Sequence, residues 1–468
     1  MRLYNTLTRE VDEVVPVDDR KVRMYTCGPT VYRYAHIGNL RTFLLADLVR
    51  RGLEFEGYEV TQVTNITDVG HMTDEASDAG RDRMDLAVDD EGMSPAEIAD
   101  KYTAAFLEDT AAIGIERARV YPKATEHISE MLDLTAKLVE RRHAYEVEGT
   151  IYYDVHSFPE YGKLSGNTLE KLRAGHRHEM AIDPHKRFHA DFALWKKAGP
   201  NRLMKWDSPW GDGFPGWHVE CSAMSMKYLG ERFDIHTGGV DLVFPHHEDE
   251  IAQSEGSVGH QVVSVWVHGG HLRLRELKMA KSSGNIIRIG DLAAMGFDPL
   301  SFRYLTFQTR YRSEMDFSEE AMRGADTAVK RLRQRMAEWV RAAPAGSDAP
   351  AGSDAARELD RRFRGAVADD LDFPRALVVL NETVSSVLPG GERYALLASW
   401  DAVLGLDLER DAREGWEPTE EMRTLVAERD AARAAKDFAR ADEIRNRLQA
   451  TGVEVMDTPE GTRVRPRV

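Results

Sequence analysis

The sequence predicts an α/β protein built on a parallel sheet, interrupted by an insertion and followed by a helical region. Three observations predict it. Lys21–Thr26 reads as a strand, a Gly-Pro turn leads into a helix carrying Asn39–Leu45, and Tyr58–Val63 reads as the next strand. That is a βαβ unit, whose binding edge lies at the strand C-termini. The same pattern returns at Phe233–Gly239 and Val262–Val267, after residues 71–215 that read as additions. From about residue 318 the chain turns mainly helical.

The remaining elements follow in order. The insertion opens on an acidic stretch, continues with helices around 95–113 and 124–143, and ends in the Trp-rich Trp206-Asp207-Ser208-Pro209-Trp210. In the helical region, Pro344–Ala355 is a short tandem of one hexamer and reads as a flexible loop. A charged helical stretch, Glu420–Gln449, precedes a small unit with Val453-Glu454-Val455 and Gly461-Thr462-Arg463-Val464. No solenoid period is present.

Length and composition bound the function. A chain of 468 residues exceeds one hydrophobic core, so two to four domains are expected. No apolar run approaches the ~18 residues that span a bilayer, which excludes a membrane partner. The N-terminus carries no charged-then-apolar signal segment, so a cytoplasmic location is expected. The two cysteines cannot build a disulfide framework, which agrees with a reducing compartment. A net charge of −17 argues against a general nucleic-acid coat but leaves room for local basic patches gripping a folded RNA. Lys330–Arg335 and Arg463–Arg467 are such patches, and each reads equally well as a solvated charged face.

The two cysteines, Cys27 and Cys221, have informative neighbours. Cys27 closes Met24-Tyr25-Thr26-Cys27, and Cys221 lies in Gly216-Trp217-His218-Val219-Glu220-Cys221, upstream of His246-His247-Glu248-Asp249-Glu250. By themselves they read as zinc ligands, a disulfide, or two small buried hydrophobes. His36-Ile37-Gly38-Asn39 stands at a strand-to-helix junction, where unpaired N–H groups and the positive dipole end suit a phosphate. Lys278-Met279-Ala280-Lys281-Ser282-Ser283-Gly284-Asn285 offers two lysines, three apart, to a departing pyrophosphate.

Together, in this order and flanking an α/β core, these two motifs resemble the HIGH and KMSKS signatures of class I aminoacyl-tRNA synthetases. Within that class the chain is similar to the cysteinyl-tRNA synthetase family. The similarity is carried by Met24–Tyr32, Asn65-Ile66-Thr67-Asp68, Asp191-Phe192-Ala193-Leu194-Trp195-Lys196, Pro215–Met224, Phe244–Glu250 and Asp457-Thr458-Pro459-Glu460-Gly461-Thr462. It implies a Rossmann-like parallel-sheet catalytic domain with an inserted connective domain, a mainly helical bundle, and a small C-terminal anticodon-binding unit. The implied boundaries are 1–125 and 214–265 for the catalytic halves, 126–213 for the insertion and 266–317 for the signature-loop domain. The bundle would take 318–405 and the anticodon-binding domain 406–468.

The resemblance implies L-cysteine, ATP with magnesium and tRNA(Cys) as partners, and a monomer. It implies a zinc ion on Cys27, Cys221, His246 and Glu250; His218, His236, His247, Glu248 and Asp249 stand near enough in sequence to compete. Zinc would accept the thiolate of cysteine far better than the hydroxyl of serine, so coordination would supply the specificity. His36 and Asn39 would contact phosphates, and Lys278 and Lys281 the pyrophosphate. Gly28, Thr67 and Trp217 would line the substrate pocket, Gly238, Gly239 and Asp241 would hold adenosine, and Asp457 would touch tRNA. The family usually has histidine at position 39, serine at 280 and tryptophan at 464, where this chain has Asn39, Ala280 and Val464. The alternative is a paralogous ligase that passes activated cysteine to a small amine, as in mycothiol biosynthesis.

Overall fold

The computed structural model describes residues 1–74, 79–175, 183–200, 202–274, 286–342, 352–414, 418–451, 453–458 and 461–466. The chain divides into two compact units. One comprises Met1–Pro299, Thr309–Glu319 and Val367–Asp372; the other comprises Leu300–Gln308, Glu320–Ala366 and Phe373–Val468.

The first unit is organised around β1 (Lys21–Thr26), α1 (Ile37–Phe55) and β2 (Glu59–Thr64). An insertion follows, with β3 (Ala144–Val147), β4 (Thr150–Tyr153), β5 (Phe192–Lys197) and β6 (Gly213–Pro215). The chain then returns through α2 (Trp217–Leu229), β7 (Phe233–Gly239), α3 (Glu248–Val258) and β8 (Val263–Gly269). The central sheet has the order β8–β7–β1–β2 with every neighbour parallel. The insertion forms its own antiparallel sheet, ordered β6–β5–β4–β3. A further hairpin, Arg2–Asn5 with Glu10–Glu13, begins the chain and was not expected from sequence.

Burial explains these choices. β7 is covered on both faces and all seven of its residues are buried, as expected for an inner strand of a parallel sheet. Within it, Asp234 accepts from Val17 N and Arg23 N, both at 2.6 Å. α1 turns Ile37, Leu40, Leu44 and Leu48 inward at helical spacing, so one stripe seals the sheet. Because chain order leaves β1 in opposite directions, toward β2 and toward β7, the sheet has a switch point between β1 and β7. Ligands bind outside the strand C-termini at such a point.

In the second unit, Phe363 stacks on Trp400 at 4.2 Å, and the Trp400 indole donates to Asp360. The expected basic patch at Lys330–Arg335 is largely neutralised from within. Arg333 is buried and donates to Leu406 O and Asp407 O, Lys330 pairs with Asp326, and Arg335 pairs with Glu338. The charged stretch from Glu420 is two helices, Glu420–Ala434 and Phe438–Ala450. Lys436 takes a left-handed φ of 60° between them, and Asp437 caps the second by accepting from Arg440 N. The final hairpin, Val453–Thr458 with Gly461–Pro466, packs Val453, Val455 and Val464 on Leu425, Ile444 and Leu448.

Candidate active site

A cavity of about 330 Å³ opens at the switch point, a size suited to small-molecule sites. Of the residues singled out from sequence, Cys27, Gly28, His36, Asn39, Thr67, Trp217, Cys221, Gly239, Asp241 and His246 line it. Gly238 and Glu250 stand behind that lining. Asp457 belongs to the second unit, and Lys278 and Lys281 lie outside the described residues. Gly28 is a backbone requirement, because a Cβ there would sit 1.5 Å from Asn65 O. At Gly239 a Cβ would meet Asp241 Oδ1 at 2.3 Å, so glycine lets that carboxylate fold over the strand end.

The start of α1 is built by reciprocal caps. Asn39 N–H donates to His36 Nδ1, and His36 N–H donates to Asn39 Oδ1, both at 3.2 Å. This is a capping box with histidine and asparagine in the usual serine and glutamate places. With Nδ1 accepting, the His36 proton sits on Nε2, and Asn39 keeps its Nδ2 group as a donor. Burial and then Arg33 hold His36 below its ordinary pKa, so the ring is neutral and donates from one nitrogen. An anion at this helix end therefore meets backbone N–H groups and two side-chain donors.

Beside it, four donors converge. Cys27 Sγ is 3.7 Å from Cys221 Sγ and 3.5 Å from Glu250 Oε1, and His246 Nε2 is 3.0 Å from Glu250 Oε1. Tetrahedral zinc with Zn–S near 2.3 Å requires an S···S edge of about 3.8 Å. The donor set therefore fits a zinc ion in both chemistry and spacing. Burial pushes the Cys27 thiol well up, while the hydrogen bond from Cys27 brings Cys221 down. Burial opposes charge on His246, but Cys221 and Glu250 raise it to about 10. Burial likewise opposes the Glu250 carboxylate, and His236 and His246 bring it down to about 2. A dication entering here would displace protons that these groups now share.

His246 and Glu250, four apart in sequence, do not share one regular helix. His246 lies in a wide turn, Val243–His247, broken by an extended Phe244, and α3 starts only at Glu248. The turn still delivers the imidazole to the carboxylate. A second donor set overlaps the first: Cys27, His236, His247 and Glu250. His247 Nε2 is 3.2 Å from Cys27 Sγ, and His236 Nε2 is 3.0 Å from Glu250 Oε2. Neither histidine lines the cavity, whereas Cys221 and His246 do. His218 Nδ1 contacts His246 Nδ1 at 2.9 Å, and His247 Nδ1 contacts His268 Nε2 at 2.7 Å. Glu248 is committed elsewhere, accepting from Gly162 N and Ser165 N, and Asp249 accepts from Tyr161 OH.

Two features escaped sequence reasoning. Arg41, buried in α1, donates to the carbonyls of Gly270, His271 and Ser313, each at 2.7 Å. It thereby fixes the cavity wall at Gly269–Leu272. One turn earlier, Ile37 N donates to Ile287 O at 2.9 Å, tying a second segment to the helix start. Glu220, inside the quoted Trp217–Cys221 segment, is fully buried under Thr67. In the second unit, Asp457 pairs with Arg429 at 2.7 Å and with Arg433, and Arg429 first among these neighbours depresses its pKa.

The chain is similar to known proteins. The family model described as tRNA synthetases class I (C) catalytic domain matches residues 13–327, and that of the cysteinyl-tRNA ligase anticodon binding domain matches 417–465. A cysteine–tRNA ligase of Salinibacter ruber is 44% identical, covering 98% of this chain and 97% of its own length. The chain belongs to the cysteine–tRNA ligase family. Another cysteine–tRNA ligase, from Thermus thermophilus, is 43% identical over 99% of this chain and 98% of its own. Mycobacterium tuberculosis methionyl-tRNA synthetase in complex with methionyl-adenylate superposes with a TM-score of 0.56 at 16% identity. That match covers 84% of this chain and 91% of the other, and it relates this cysteine–tRNA ligase family member to the wider class by fold.

Proposed function

We propose that this member of the cysteine–tRNA ligase family activates L-cysteine with ATP and transfers the cysteinyl group to the 3′-terminal ribose of tRNA(Cys). The carrying observation is one cavity that joins two thiols and an imidazole, with the Glu250 carboxylate directly behind them, to a helix N-terminus with two extra donors. The thiols, His246 and Glu250 point to a thiol substrate, and the helix end points to a phosphate.

On this reading the substrate carboxylate attacks the α-phosphorus of ATP, and pyrophosphate leaves. His36 Nε2–H and Asn39 Nδ2–H donate to phosphoryl oxygens, while Lys278 and Lys281 stabilise the departing pyrophosphate. Gly238, Gly239 and Asp241 hold the adenosine, and Gly28, Thr67 and Trp217 shape the amino-acid pocket. Cys27, Cys221, His246 and Glu250 would hold zinc, which supplies a thiophilic position when bound; only the first three face the cavity, which favours this set over the one containing His236 and His247. Magnesium accompanies ATP. Residues 126–213 would serve as the connective insertion, and 406–468, with Asp457, as the anticodon reader. Among the described residues no helix is long and apolar enough to cross a membrane, and the reading is of a cytoplasmic monomer.

The test is cysteine-dependent ATP–pyrophosphate exchange, followed by acylation of a tRNA(Cys) transcript in competition with a small amine. Exchange with tRNA charging is expected. Exchange with transfer only to the amine would move the assignment to the small-amine ligases, and no exchange would overturn it.

A further inference from the structure

A hydrogen-bond chain crosses the cavity floor beside the two thiols, and its directions can be worked out from one end. Gly28 N–H, which can only donate, lies 2.8 Å from Asn65 Oδ1. That fixes the Asn65 amide, so its Nδ2 faces Thr67 Oγ1 at 3.0 Å. Thr67 must accept there. Its own hydrogen then goes to Glu220 Oε2, also at 3.0 Å. The other carboxyl oxygen, Oε1, is 2.6 Å from His71 Nε2, so the proton held between these two atoms, whether it sits on the ring or on Oε1, leaves Oε2 as the acceptor toward Thr67. All four side chains are buried: Asn65 is 1% exposed, Thr67 4%, His71 6% and Glu220 0%.

A hydroxyl has one hydrogen and two lone pairs. With the hydrogen given to Glu220 and one lone pair given to Asn65, Thr67 presents only a lone pair to the cavity. Such a group receives a donor and repels a carboxylate. We infer that Glu220 is a positioning residue that sets Thr67 as the acceptor for the substrate's α-ammonium group. This rests on the reading that the cavity takes an amino acid. It also accounts for a carboxyl kept under the pocket floor, where burial without a partner is costly.

The experiment is a double-mutant cycle on the zinc-loaded full chain, read by ATP–pyrophosphate exchange at varied cysteine and varied ATP. Glu220→Leu and Thr67→Val should each raise KM for cysteine roughly 10–100-fold and leave KM for ATP within about twofold. The double variant should lose no more than Thr67→Val alone, because both remove one interaction. Glu220→Gln should retain most of the cysteine affinity, since its amide oxygen can accept from Thr67 while its NH2 group faces His71. Inhibition by 3-mercaptopropionate, which has the thiol and carboxylate but no ammonium, should not change in Glu220→Leu. Should Glu220→Leu fail to fold, Glu220→Asp, which withdraws the carboxylate by one methylene, should show the same cysteine-specific loss. Additive losses, equal effects on cysteine and ATP, or a matching loss with 3-mercaptopropionate would overturn the inference. A parent protein without cysteine-dependent exchange would instead overturn the proposed function.

Discussion

Replacing Arg41 by methionine tests how the cavity wall is held. The guanidinium is 6% exposed, and burial draws its pKa down to about 10, so the fold keeps a cation where solvation is poor. It is matched by carbonyls alone: Gly270 O, His271 O and Ser313 O at 2.7 Å, and Tyr311 O at 3.4 Å. After Arg41→Met, His271 O still receives Met315 N–H at 2.9 Å, and Tyr311 O still receives Gly270 N–H at 2.8 Å. Gly270 O and Ser313 O lose their charged donor. Gly270 is half-buried and Ser313 is exposed, so water takes up part of the loss of two charged hydrogen bonds, each worth about 1.5–3 kcal/mol, and relief of the buried charge offsets more of it. The expected net loss is about 1–2 kcal/mol. Urea unfolding followed by circular dichroism should show a lower midpoint for the variant. Exchange kinetics should show KM for ATP raised about tenfold, with KM for cysteine little changed, because the wall at Gly269–Leu272 moves while the thiol pocket stays. Arg41→Lys should recover only part, since an ammonium lacks the planar fork. An unchanged midpoint, or equal effects on both substrates, would mean that Arg41 does not hold this wall.

Other outcomes follow from the same geometry. Gly28→Ala places a methyl 1.5 Å from Asn65 O, and should abolish exchange or soluble expression, both measurable directly. Asp109 is raised to about 6 from its ordinary 3.8 by burial, so the folded state binds its proton more tightly than the unfolded state. Stability from this group is therefore present below the unfolded value and is lost as pH rises through 6. Asp109→Asn should exceed the parent by about 1 kcal/mol at pH 7.5, after discounting for partial exposure, and lose that advantage below pH 4 in urea titrations. Asp457→Asn should lower tRNA charging efficiency about tenfold while leaving ATP–pyrophosphate exchange within about twofold.

How far the sequence could be read depended on the range of the interactions. The β1–α1–β2 unit was legible because apolar spacing is local, and the observed bounds of the second strand, Glu59–Thr64, shift the expected ones by one residue. The insertion sheet was not, because strands such as Gly213–Pro215 are three residues long and exist only through pairing with distant partners. Lys436 gave no local sign of a left-handed turn, so Glu420–Gln449 read as one charged helical stretch. The Cys27, Cys221, His246 and Glu250 set was proposed from segment identity, and the structure brings those atoms together. The overlapping set through His236 and His247 was only a matter of proximity in sequence, and became definite once β7 and α3 faced each other. Arg41 was illegible because a charge on an otherwise apolar helix stripe reads as the solvent face. Its carbonyl partners lie more than two hundred residues away.

On the proposed reading, Cys27, Cys221, His246 and Glu250 hold a metal that selects a thiol substrate. The most direct measurement replaces zinc by cobalt(II) and follows the thiolate-to-metal absorption as substrate is added. One cobalt per chain is expected, with two protein thiolates contributing before substrate. Cysteine should then intensify the band by about half again, serine should leave it unchanged, and Cys221→Ser should start from about half the intensity. A band indifferent to cysteine, an equal response to serine, or full intensity in Cys221→Ser would mean that these four residues do not form a thiol-selecting metal site.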